Sequence, residues 1–165
     1  IQKIISIFPG ALVIVPFRHP AYQTASLLKQ HLHFVNLHEQ DSFSREYMTW
    51  LGHREFGSDY KPFITQRVTY NELTDLNHWL EQWLKVYEHL YNKYSGNQQV
   101  IFLCYEELCS NPKIWENLQT TISINTSYAF KTANDYRLLK TDEVLQEQCM
   151  NLYKKLRQES LKRLN

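Results

Sequence analysis

Glycine and proline are scarce in this chain of 165 residues, which holds four of one and five of the other. An all-β sandwich needs a turn residue at nearly every strand end, so that class is excluded. Neither sign of charge is in excess, with 18 Lys and Arg against 17 Asp and Glu. No whole-molecule field recruits nucleic acid or an anionic membrane, and a nucleotide site has to be a local arrangement. Cysteine is limited to Cys104, Cys109 and Cys149, an odd number without metal-ligand spacing. Reduced thiols in a reducing compartment are the economical reading, with a cytoplasmic setting as the default expectation. Long apolar runs are missing as well. The longest, residues 11–17, falls far short of the roughly 20 residues a membrane-spanning helix requires. No charged segment followed by a small-residue cleavage site marks a signal peptide.

What is present is apolar and ring-rich. A hydrophobic fraction of 43% excludes disorder as the dominant state, and 14% aromatic residues predict a ring-heavy core or ring-lined surfaces. The length suits a single domain over residues 1–165. Leu76, Trp79, Leu80, Trp83, Leu84, Tyr87, Leu90 and Tyr91 recur at intervals of three and four and predict a long amphipathic helix. Thr74 or Asp75 is positioned to cap its start, and Ser95-Gly96-Asn97 ends it. The two tryptophans lie on the face that must be buried and are read as core. Asn111-Pro112 predicts another helix start, and residues 142–164 read as a terminal amphipathic helix.

The most informative segment is Val13-Ile14-Val15-Pro16-Phe17-Arg18-His19-Pro20, followed by Ser26. An apolar run that reads as a buried strand delivers an arginine to its carboxyl end, where ligands gather in open α/β sheets. The guanidinium fork suits a phosphate, and a helix starting at Pro20 would add unpaired backbone N–H groups. The plainer reading is a surface arginine paired with a carboxylate. His19 is expected to face away from Arg18. A second apolar strand, residues 100–104, precedes Tyr105, and a long helix between the strands predicts parallel pairing. Arg18 and Tyr105 would then stand at the same sheet edge.

Phe17-Arg18-His19-Pro20 through Ser26 resembles the 3′-phosphate-binding motif of sulfotransferases that use 3′-phosphoadenosine 5′-phosphosulfate, where a serine follows Arg-x-Pro eight residues after the arginine. Tyr105-Glu106-Glu107-Leu108, with Asn111-Pro112 and Trp115-Glu116-Asn117-Leu118, is similar to a second signature of that family. Tyr47-Met48-Thr49-Trp50-Leu51-Gly52-His53-Arg54-Glu55-Phe56-Gly57, with Lys61-Pro62-Phe63, resembles a segment of its bacterial members. The three matches span most of residues 11–123 in the family's order. The resemblance implies part of a P-loop-NTPase-like α/β sulfotransferase fold, a short parallel sheet flanked by helices. It implies that Arg18 and Ser26 bind the 3′-phosphate and that Tyr105 lies against the adenine, the plainer role for Tyr105 being to anchor a strand end.

The resemblance further implies transfer of a sulfonate group to an acceptor hydroxyl or amine, with the nucleotide as co-substrate and no metal required. The family's Pro-Lys-x-Gly-Thr-Thr loop, which grips the 5′-phosphosulfate, is not found in the chain. The sequence is therefore expected to be a fragment, with its catalytic residue unassigned. Residues 36–73 are expected to face the acceptor, a small molecule, carbohydrate or lipid. His53 and Glu55, between Gly52 and Gly57, are candidate substrate-binding residues, the plainer role for His53 being a hydrogen-bonded structural histidine. His31, His33 and His38 lack paired spacing for a metal. An incomplete sheet would expose an edge and favour a homo-oligomer. The alternatives are an inactive nucleotide-binding module and a helix-rich interaction protein.

Overall fold

The computed structural model describes residues 1–62, 69–131 and 140–164. Its elements run α1 (Gln2–Ile7), β1 (Val13–Phe17), α2 (Pro20–Gln40), α3 (Ser42–Trp50), α4 (Leu76–Tyr94), β2 (Val100–Cys104), α5 (Tyr105–Ser110), α6 (Pro112–Ile122) and α7 (Glu143–Leu164). The class is mixed, helix with a short two-stranded parallel sheet, as the strand–helix–strand pattern predicts. No helix among the described residues is long and apolar enough to cross a membrane.

Two compact units emerge. One is built from the described parts of Ile1–His19, Glu88–Asp135 and Met150–Asn165, the other from those of Pro20–Tyr87 and Tyr136–Cys149. The first holds the sheet. β1 and β2 pair from Val13↔Val100 to Phe17↔Cys104, so the chain leaves both strands at the same edge, into Arg18 and Tyr105. Every residue of β2 is buried, whereas β1 buries Val15 and Phe17 and exposes Pro16. The apolar continuity of β2 reflects that burial. Ile101, Leu103, Leu108, Ile114, Leu118 and Leu164 form a core against which Leu12, Ile14 and Trp115 pack. On its other face Phe102 lies 6.4 Å, centroid to centroid, from Tyr91. α7 adds a buried serine, Ser160, whose Oγ accepts the Cys104 N–H at 3.2 Å. Without it a backbone donor would be stranded where the strand ends.

The caps explain where the helices start. Asn111 Oδ1 accepts the Lys113 N–H, and Pro112 takes the first helical position, where no donor is needed. α7 begins one residue after Asp142, whose carboxylate accepts the Leu145 N–H at 2.8 Å. Asp75, rather than Thr74, caps α4 by accepting the Asn77 N–H at 2.9 Å. Gly96, at φ +74, follows the end of α4, a backbone state that glycine adopts without penalty.

The second unit packs Leu28 of α2 against Leu76 and Trp79 of α4, with Ala25, Leu27, Phe56 and Tyr60 around them. Pro20, Thr24, Leu28, His31 and His38 are the buried stripe of α2. α3 is capped by Asp41, which accepts the Phe43 N–H at 3.1 Å. After it the chain turns through Gly52 and Gly57, both at positive φ. Gly57 lies against the imidazole of His38, so that a Cβ there would stand 2.4 Å from its Cε1. That ring is fully used, accepting the Ser58 N–H through Nδ1 at 3.3 Å and facing Met48 Sδ at 3.2 Å with Nε2. Further on, Glu81 gathers the Thr69 and Tyr70 N–H groups and Lys85 around one buried carboxylate.

Candidate functional site

Parallel register brings Arg18 and Tyr105 together at the carboxyl end of the sheet. The guanidinium carbon of Arg18 lies 5.2 Å from the centroid of the Tyr105 ring, a cation–π contact. The tyrosine hydroxyl donates to the Lys131 carbonyl at 2.5 Å, which fixes the ring as a platform. Each side chain is partly exposed.

Beside them sits a carboxylate whose role the sequence did not reveal. Glu106 Oε1 accepts the backbone N–H of His19 at 2.9 Å and lies 3.9 Å from Arg18 Nε. Its Oε2 accepts the Tyr153 hydroxyl at 3.1 Å and lies 3.5 Å from Cys104 Sγ. Glu106 thus ties the two strand exits to α7. Only the neighbouring Tyr-Glu-Glu-Leu run signalled it, since its partners are distant in sequence. Tyr153 is buried by Phe17 and His19, with ring centroids at 5.9 and 5.3 Å. Burial, and then the neighbouring Cys104 and Glu106, push its phenol pKa far up, so it stays a proton donor. Burial also lowers the His19 pKa, against Glu106, which raises it, and together with Arg18, which lowers it. His19 packs on Tyr153 while Arg18 lies over Tyr105.

The other expected residues belong to the second unit. Ser26 is exposed on α2, between the buried Thr24 and Leu28. His53 and Glu55 meet, Nδ1 to Oε1, at 2.7 Å, and both are solvent-accessible. The glycine turns on either side of them bring this pair together. Among residues 36–73, positions 63–68 lie outside the described residues, Phe63 of the bacterial-type segment included.

The same unit holds a histidine–aromatic cluster not foreseen from periodicity. His78 donates through Nδ1 to the Tyr70 carbonyl at 2.8 Å, which leaves Nε2 to accept the Tyr60 hydroxyl at 3.1 Å. Burial pushes the Tyr60 phenol up to about 12. His31 packs edge-on to Tyr60 at 5.5 Å and lies 5.3 Å from Trp79. Its buried Nδ1 has no hydrogen-bond partner among the described residues. Burial first, and then nearby His78, hold its pKa below the usual histidine value.

Compared with family models, curated proteins and solved structures, the chain finds no match.

Proposed function

We propose that this chain is part of a sulfotransferase that takes sulfonate from 3′-phosphoadenosine 5′-phosphosulfate and passes it to an acceptor hydroxyl or amine, on a P-loop-like α/β scaffold. The observation that carries the reading is the pairing of Arg18 with Tyr105 at one sheet edge, 5.2 Å apart. A guanidinium next to an aromatic face offers a phosphate and a base adjoining partners without reading the base's edges. Glu106 would compete with a phosphate for Arg18. The donors that already engage Glu106, from His19 and Tyr153, weaken that competition. In this reading Arg18 binds the 3′-phosphate and Tyr105 supports the adenine. Ser26 enters through the sequence motif alone, and no residue is assigned to the phosphosulfate half or as catalytic base.

The Arg18–Glu106 approach at 3.9 Å favours a second reading, in which Arg18 only braces the strand exits and the chain is a helix-rich interaction protein. Calorimetric titration with adenosine 3′,5′-bisphosphate separates the two. Binding by the wild type, weakened about tenfold to a hundredfold by Arg18→Ala, is the expected result for a charge-assisted contact. Tyr105→Ala should weaken it by a similar factor through lost stacking. Heat of binding that is absent, or unmoved by Arg18→Ala, overturns the assignment.

A further inference from the structure

We infer that the second unit carries a binding hollow for a neutral, flat, aromatic molecule bearing a hydroxyl group. A cavity of about 230 Å³ opens between α2, α4 and the turn before residue 60. Its wall is Leu27, Phe56, Tyr60, Trp79, Trp83 and Val86. An apolar cavity of about 150 Å³ already accommodates benzene, so this space suits a molecule of one or two fused rings. Planar rings on the wall favour a planar guest through offset and edge contacts.

One buried group asks for a polar partner. Gln82 also lines the hollow, is only 7% exposed, and its Nε2 has no hydrogen-bond partner among the described residues. A buried amide N–H left without a partner carries the full cost of losing water, which a ligand oxygen accepting from it would offset. The other glutamine in the wall has both ends engaged. Gln23 donates to the Tyr87 hydroxyl and accepts from Trp83 Nε1, each at 3.0 Å.

These contacts narrow the guest. A hydroxyl both donates and accepts, so it pairs with either end of the Gln82 amide. A sugar would bring several hydroxyls into a wall with few polar ends and strand most of them. Glu55 also lines the hollow, and its carboxylate disfavours an anionic guest. The inference stands apart from sulfonate transfer, since it involves neither Arg18 nor Tyr105.

The test uses the full chain, 2-naphthol, and 2-methylnaphthalene, which has the same shape without the hydroxyl. Two-dimensional NMR follows the indole N–H signals of all four tryptophans. Titration with 2-naphthol should move those of Trp79 and Trp83 and leave Trp50 and Trp115 in place, and 2-methylnaphthalene should bind about tenfold more weakly. Gln82→Leu, which removes the stranded amide, should erase that preference while retaining the naphthalene contact. Absence of shifts at Trp79 and Trp83, equal affinity for the two probes in the wild type, or a preference that survives Gln82→Leu would each overturn the inference.

Discussion

The hydroxyl of Tyr153, on α7, donates to Glu106 across 3.1 Å, and the same carboxylate receives the backbone N–H of His19. One acidic side chain thereby joins the exits of both strands to the last helix. Tyr153→Phe keeps the ring packing on Phe17 and His19 and removes only the donor. Because Glu106 retains about a quarter of its exposure, water offsets part of the loss. The expected destabilisation is about 1–2 kcal/mol by urea denaturation, and an unchanged midpoint would mean that the bond holds nothing together.

Gly57 has a sharper requirement. Its φ of +80 suits glycine, and a Cβ would run into the His38 imidazole at 2.4 and 2.6 Å. Both obstacles act together in Gly57→Ala, with an expected cost of about 2 kcal/mol. The companion variant His38→Ala makes room for the methyl. Adding Gly57→Ala to that background should cost clearly less than adding it to the wild type, and equal costs would show that the ring contact is irrelevant.

Acid should weaken the fold through His31. Its folded pKa lies below the usual 6.5, because burial and then His78 disfavour the imidazolium. As pH falls through about 6.5 the unfolded chain takes up a proton that the native state does not. Stability is therefore fully present above that value and declines below it, by at most about 1.4 kcal/mol per pH unit for one group. Urea midpoints measured between about pH 5 and 7.5 should show a shallower slope in His31→Phe than in the wild type. His19, lowered mainly by burial, adds a slope of the same sign in both proteins.

Some elements were open to sequence reasoning because their signal is local. The apolar stripe of α4, the Asn111-Pro112 start of α6 and the acidic start of α7 are each written within a few neighbouring residues. α1 carries no such pattern, since none of its residues is buried. α5 continues straight out of β2, and with no Gly or Pro between them nothing announces the change of period. In the candidate site, the shared edge of Arg18 and Tyr105 follows from parallel pairing and was foreseeable. Glu106 as the link between them was not, because its partners lie 87 and 47 positions away. That Gln82 Nε2 has no partner among the described residues is a property of packing in three dimensions, and no periodicity encodes it.

Pro16, which stands opposite Leu103 in the register, governs what the sheet can add. Val13 directs its N–H to the Gln99 carbonyl, so the alternation of a parallel ladder turns the donors of Val15 and Phe17 the same way and those of Ile14 and position 16 outward. Proline has no N–H, which leaves Ile14 as the one outward backbone donor within Val13–Phe17. A further strand zipping alongside would meet a gap at mid-length, so growth of the sheet from this flank by a second copy is discouraged by the covalent chemistry of the chain itself.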